Sequence, residues 1–345
     1  MSVETAATVA DIGEFGLIQR LRQTLAPGTV AGEGLQIGIG DDAAVWQPEP
    51  GRALVFTTDS LVEDIHFRLA WTDWASLGHK SLAVNLSDLA AMGAWPRLAL
   101  VTLGLRGNEA VADLVALYQG LGGLAERTGT LVAGGDIVRS PRALLIHITV
   151  IGDVPAGLAL LRSGARDGDI IAVSGTLGAS AAGLRLLERG GLEAGSSSTT
   201  GPMLIGAHVR PEPRLILGQR LLQEGATAAM DLSDGLFGDL PKLLSASGVA
   251  AEVDVAAIPV AAAVRALFPD DWLDLATRGG EDYELVFTAP PDALARIQAE
   301  ADTIGATVTA IGRVRGHRLG SPLLLVLNSN GETIDSSVGA FDHFR

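Results

Sequence analysis

At 345 residues the chain is longer than one hydrophobic core ordinarily supports, so two domains are expected. Its 48% hydrophobic content, 4% aromatic content and 43 glycines describe an Ala-, Leu-, Val- and Gly-rich α/β protein and exclude a disordered one. The formal charge of −15, with no basic stripe to offset it, excludes a nucleic-acid partner, and the absence of cysteine excludes disulfides, thiol nucleophiles, Cys-ligated zinc and iron–sulfur clusters.

The first residues carry Glu4, Asp11 and Glu14 instead of a basic segment followed by an apolar run, which argues against a secretory signal. No apolar run reaches the roughly 18 residues of a membrane-spanning helix, so a cytoplasmic location without a membrane partner is expected. The first punctuation is GIGDDAA, 38–44, a tight Gly-Asp loop. An alternating strand over 53–57 follows and ends in the TTD of Thr57, Thr58 and Asp59, with Thr57 and Asp59 on one face and Thr58 on the other. Helical spacing over 74–92 stops at Gly93 and Pro96, and this helix carries Asn85 and Asp88 three residues apart. A strand over 97–104, a helix over 109–128, a GGD turn at 134–136 and a strand over 143–151 complete an N-terminal domain, 1–154.

The pattern then restarts in a second domain, 155–345, with a strand over 169–174, a helix over 178–189 and a Ser/Thr-rich surface loop over 190–201. MDLSDG, 230–235, precedes a helix over 236–247; a strand over 251–255, RGGEDYEL at 278–285, a strand over 283–288, a helix over 292–304 and strands over 307–314 and 323–327 close the chain. The fold class that follows is α/β of the α+β type in two domains.

Each acidic motif alone fits a bland reading: a turn for GIGDDAA, GGD and RGGEDYEL, a capped strand end for TTD, a solvated helix edge for Asn85 and Asp88, a helix cap for Ser233 or Asp234. Together they form a recurring set of aspartates beside Gly, Ser, Thr or Asn, and oxygen-rich sets suit hard cations such as Mg²⁺. Magnesium on these carboxylates would admit a polyphosphate despite the net charge. There is no P-loop, no kinase HRD and DFG set, and no HExxH, so phosphoryl transfer would need a metal-rich, non-Walker design. Lone histidines such as His79 and His147 read as structural, since no second His lies at ligand spacing.

GEFGLI from Gly13, GIGDDAA, TTDSLVEDIHF, NLSDLAAMGA, GGD, LRSGARDGD, MDLSDGL, GGEDYEL and the FDHF from Phe341, in this order, resemble the thiamine-monophosphate kinases of the aminoimidazole-ribonucleotide-synthetase-like superfamily. The resemblance spans nearly the whole chain. It implies transfer of the ATP γ-phosphoryl group to thiamine phosphate with several Mg²⁺ ions, a homodimer joined through N-terminal mixed sheets, and a C-terminal α/β domain. By motif it implies Asp42, Thr57, Thr58, Asp59, Asp88, Asp136, Asp231 and Asp234 as metal ligands, and Tyr118, Gly135, Asp136, Arg162 and Ser233 as ATP contacts. His66, Glu281 and Phe341 match the positions that hold thiamine phosphate, and no catalytic base is expected. Ile137 departs from the family's usual Thr after GGD, Phe341 replaces a Tyr or Trp, and 190–201 reads as an insertion. Sister enzymes that activate an amide oxygen, and a non-catalytic Mg²⁺–nucleotide sensor, use similar motifs; His66, GGEDYEL and FDHF favour the kinase.

Overall fold

The strand expected at 53–57 runs for eleven residues, Arg52–Val62, because each of them pairs in unbroken antiparallel register with residues 145–155. The computed structural model describes residues 7–190, 199–318, 320–328 and 330–334. Packing divides it into two units, one of Met1–Leu86 with Trp95–Ala156 and one of Ser87–Ala94 with Gly157–Arg345.

The first unit holds α1 (Val9–Thr24), α2 (Pro27–Val30), β1 (Leu35–Ile37), β2 (Val45–Trp46), β3 (Arg52–Val62), most of α3 (Trp74–Ala91), β4 (Trp95–Leu105), α4 (Val111–Thr128), β5 (Leu131–Arg139) and β6 (Leu145–Pro155). Its main sheet has the order β3-β6-β4-β5 and is mixed, because β4 and β5 are parallel while the other pairs are antiparallel. Ala99, Val101 and Leu103 of β4 and Ile146, Ile148 and Val150 of β6 make one face a dry core. The opposite face leaves Leu54, Phe56, Leu100 and Val138 exposed, Phe56 by 63%. Helices α3 and α4 touch backbone to backbone: a Cβ on Gly78 would lie 1.8 Å from the Leu117 carbonyl oxygen, and one on Gly120 would lie 1.7 Å from that of Ala75. Helix α4 ends in a left-handed Gly129 whose N–H reaches the carbonyls of Ala125 and Glu126.

The second unit holds the end of α3, β7 (Ile170–Ser174), α5 (Ala179–Glu188), α6 (Thr200–Val209), α7 (Leu215–Glu224), β8 (Ala228–Asp231), α8 (Leu236–Ser247), β9 (Val249–Asp254), α9 (Ala262–Leu267), α10 (Trp272–Thr277), β10 (Leu285–Ala289), α11 (Pro291–Thr303), β11 (Val308–Gly316), β12 (Leu324–Leu327) and β13 (Thr333–Ile334). Its strand order is β13-β12-β9-β11-β7-β10-β8, and among the described strands only β9 and β12 pair in parallel. Ile171, Val173, Met230, Val253 and Val286 of this sheet and Leu240, Leu243 and Leu244 of α8 share one apolar cluster. The two-domain mixed α/β architecture expected from the sequence is the one observed.

Two local expectations differ. Gly134–Asp136 lies inside β5 and is not a turn: a Cβ on Gly135 would sit 1.8 Å from the Val101 carbonyl oxygen, so the glycine lets two strands approach. Thr57, Thr58 and Asp59 sit in the middle of β3, not at its end. The helices α1, α2, α6, α7, α9 and α10 were not anticipated; α1 is interrupted at Gly13, which has φ 67°, and the other five are ten residues or shorter. The segment 191–198, within the proposed surface loop, and Phe341 with its FDHF lie outside the described residues. No described helix is long and apolar enough to cross a membrane.

Candidate functional site

In the second unit, β8 ends at Asp231, and the chain continues through Leu232–Gly235 alongside Glu281–Glu284. The backbone N–H of Leu232 donates to the Glu284 carbonyl at 2.8 Å, that of Tyr283 to the Leu232 carbonyl at 3.0 Å and that of Glu281 to the Ser233 carbonyl at 2.9 Å. The MDLSDG and GGEDYEL motifs, about fifty residues apart in sequence, are therefore laced together. The approach requires bare backbone: a Cβ on Gly280 would lie 2.4 Å from the Ser233 carbonyl oxygen, and one on Gly235, at φ 85°, 2.7 Å from that of Gly279. Glu281 and Tyr283 are held at φ 67° and 50°, two of three non-glycine residues with positive φ among the described residues. Strain of this kind persists where surrounding contacts fix the backbone.

The NLSD motif reaches the same place. Ser87, fully buried at the end of α3, donates its hydroxyl to Asp231 Oδ2 at 2.8 Å, and Asp231 is itself 5% exposed. The neighbouring Asp88 is half-buried. Asn85, one turn earlier, is buried and donates Nδ2 to the Ser81 carbonyl at 3.1 Å, while its Oδ1 has no hydrogen-bond partner.

Asp234 opens α8. Its backbone N–H donates to Asp239 Oδ2 at 2.8 Å, and Lys242 Nζ binds both Asp234 Oδ2 at 2.5 Å and Asp239 Oδ1 at 2.8 Å. Burial raises the Asp239 pKa. Burial works against the Lys242 ammonium, but its hydrogen bonds to Asp234 and Asp239 prevail and raise its pKa. Asp282 accepts from the backbone N–H groups of Gly178 at 2.7 Å and Ser180 at 3.1 Å, capping α5 from across the fold. Its carboxyl is nevertheless pushed up to about 7, chiefly by burial and further by Glu284 and Glu281. Glu281 Oε2 lies 3.3 Å from His208 Nδ1, which also meets the Ser180 hydroxyl at 3.1 Å. Arg162 is exposed, and its loop is pinned by Ser247, whose hydroxyl donates to the Arg162 carbonyl at 2.8 Å and accepts from the backbone N–H of Gly164 at 3.1 Å.

In the first unit the remaining candidates spread over one sheet. Thr57 and Asp59 alternate with Thr58 across the two faces of β3, as expected for a strand. Thr58 Oγ1 meets His147 Nε2 at 3.1 Å and Thr149 Oγ1 at 3.0 Å, and Ser60 Oγ meets His147 Nδ1 at 2.8 Å. Asp136 shares the face of Thr102 and His147 by register, whereas Gly135 pairs with Val101 on the other face. Asp59 and Asp136 therefore lie on opposite faces, separated by β6 and β4. The GIGDDAA loop joins β1 to β2, and its Ala44 packs against the apolar cluster that holds Ala133, the residue before GGD. Asp42 in that loop is exposed and donates its backbone N–H to Asp41 Oδ1 at 2.8 Å. His66 Nδ1 accepts from the Val62 N–H at 3.1 Å, which leaves Nε2 the protonated nitrogen of the neutral ring. Tyr118 is buried in α4, and burial raises its hydroxyl pKa.

Among the described residues no group of three or more His, Asp or Glu side chains is gathered closely enough to hold a metal. What the fold does join is the end of NLSD, MDLSDG and GGEDYEL in one unit, and GIGDDAA with GGD in the other. Ser87, Asp239, Lys242, His208 and Asp282 were not singled out from sequence. Ser87 and Asp282 lie inside motifs already noted, and Asp239 with Lys242 is an i,i+3 charge pair on α8; nothing in the sequence marks His208.

The model of the AIR synthase related protein N-terminal domain matches residues 40–154, and that of the C-terminal domain matches residues 166–322. The thiamine-monophosphate kinase of Salmonella typhimurium is 40% identical over 334 residues, covering 96% of this chain and 98% of its own. The crystal structure of thiamine-monophosphate kinase from Stenotrophomonas maltophilia K279a is 39% identical, with a TM-score of 0.82 over 94% of this chain and 98% of that one. AaThiL complexed with AMPPCP and TMP is 31% identical, with a TM-score of 0.73 over 97% of this chain and 98% of that one.

Proposed function

We propose, on the premise that this chain belongs to the thiamine-monophosphate kinase family, that it transfers the γ-phosphoryl group of ATP in line to thiamine phosphate and so makes thiamine diphosphate. A relative crystallised with AMPPCP and TMP supports the ATP and thiamine phosphate assignment. The observation in this chain that carries the reading is the 2.8 Å bond from Ser87 to Asp231, which ties NLSD to MDLSDG and orients a buried carboxylate.

The acceptor needs no general base. Its attacking phosphate oxygen is already ionised for the most part at neutral pH, since the second pKa of a phosphate monoester is about 6. The barrier is repulsion between two polyanions. Magnesium, when bound, would neutralise the phosphate oxygens and set them in line. The donor chemistry suits such ions: Asp88, Asp231 and Asp234 offer hard oxygen ligands in the second unit, where Ser87 supplies an orienting hydrogen bond to Asp231, and Asp42, Thr57, Thr58, Asp59 and Asp136 offer the same kind of ligand in the first. We assign Gly135 and Ser233 to the ATP phosphates by motif, and the exposed Arg162 offers a directional donor to their oxygens. Tyr118, being buried, acts by shaping the nucleotide side through packing. Glu281, locked at positive φ, and His66 hold the acceptor, and Phe341, outside the described residues, is assigned to it by its motif alone. A homodimer through the open sheet face accounts for the exposure of Leu54, Phe56, Leu100 and Val138. We place the enzyme in the cytoplasm, where ATP is available.

Asp59→Asn and Asp88→Asn test the metal assignment. Each is expected to lower turnover by orders of magnitude at saturating magnesium while the protein stays folded. Near-normal turnover in both would remove it.

A further inference from the structure

Lys242 stands where the proposed function would put a metal charge. Its ammonium binds Asp234 Oδ2 directly and is anchored on the other side by Asp239 Oδ1 at 2.8 Å. Asp239 is 1% exposed at its side chain and cannot turn to solvent, so the lysine is tethered and not merely adjacent. Asp239 also accepts the Asp234 backbone N–H at 2.8 Å, which fixes the carboxylate that Lys242 grips. Asp234 retains 27% side-chain exposure and remains open to a diffusing ion. An ammonium and a divalent ion on one carboxylate repel each other and share its negative charge.

We propose that Lys242 is a built-in competing cation that weakens divalent binding at Asp234 in the nucleotide-free enzyme, so that this position loads fully only when a nucleotide brings its own phosphate charge. The inference rests on Asp234 being a metal ligand. In that case Lys242 sets the order of assembly. The free enzyme holds a neutralised Asp234, and the metal arrives with the nucleotide.

The test is divalent binding to the nucleotide-free, full-length protein, read by the Mn²⁺ electron paramagnetic resonance signal and by Mg²⁺ calorimetry. Lys242→Met removes the competing charge. Because it leaves the buried Asp239 without its cation, the double variant Asp239→Asn with Lys242→Met is measured beside it; asparagine still accepts the Asp234 N–H. Whichever of these variants retains the wild-type melting profile should bind Mn²⁺ about tenfold more tightly than wild type, as expected for removing one like charge from a partly exposed site. Affinity that is unchanged or weaker in the folded double variant overturns the proposal. Asp234→Asn, added to whichever of these variants stays folded, separates the two levels of the argument: if the added change leaves that variant's Mn²⁺ affinity unaltered, Asp234 is not a ligand and the reading beneath the proposal fails.

Discussion

Replacing Ser87 with alanine removes one hydroxyl and tests how the site is held together. The Ser87 hydroxyl and Asp231 Oδ2 are 2.8 Å apart, with Ser87 fully buried and Asp231 at 5% exposure, so water does not readily replace the lost donor. A hydrogen bond to a charged group contributes about 1.5–3 kcal/mol, and a buried carboxylate deprived of one is left under-solvated. Ser87→Ala should therefore cost about 2 kcal/mol of stability in the second unit, a fall of a few degrees in its melting transition. Its larger effect should be on metal use, because removing a group that orients a metal ligand typically weakens metal affinity by about 10- to 100-fold. The assay is a magnesium titration of ATP-dependent product formation at saturating substrates. The half-saturating magnesium concentration should rise by about that factor, and excess magnesium should recover much of the lost rate. A variant with wild-type magnesium dependence would refute the claim that this bond orients a metal-ligating carboxylate.

Glu281→Ala should raise the KM for thiamine phosphate about tenfold or more and change kcat little, and His208→Ala should shift KM the same way by less, since His208 steadies Glu281 from 3.3 Å. An unchanged acceptor KM in steady-state kinetics would remove Glu281 from the acceptor side. Gly135→Ala drives a methyl to 1.8 Å from the Val101 carbonyl oxygen and should cost about 3 kcal/mol or more, while Gly123→Ala in α4, where nothing lies within 4 Å, should stabilise by up to about 1 kcal/mol; thermal melts of both decide. The Asp282 carboxyl, raised from 3.8 to about 7, keeps its proton in the folded state over a range where the unfolded chain has lost it. Stability contributed by this group therefore falls as pH rises from about 4 to 7, by at most about 4 kcal/mol, and Asp282→Asn should flatten that part of the profile measured by denaturant unfolding.

What could be read from the sequence followed periodicity and punctuation. Helix α8 was legible to the residue because Gly235 and Gly248 bracket an apolar repeat, and α3 and α11 because Gly93 and the Pro290–Pro291 pair mark an end and a start. Glycine misled where it serves approach and not turning: in GGD it lets β5 press against Val101, a tertiary fact that composition cannot signal. The site showed the same division. Its carboxylates were visible as motifs, but their partners are non-local: Ser87 to Asp231 spans 144 residues and Asp282 to the start of α5 about a hundred. The separation of Asp59 from Asp136 on opposite sheet faces depends on strand order, which no single-strand pattern encodes. His208 was invisible because a lone histidine on a short helix has no pattern at all.

The most direct measurement follows conversion of thiamine phosphate to thiamine diphosphate by chromatography, with ATP and magnesium both present and with each omitted in turn. The account predicts product only when both are supplied, with ADP released in equal amount. Folded protein that binds ATP and magnesium yet forms no thiamine diphosphate would contradict it.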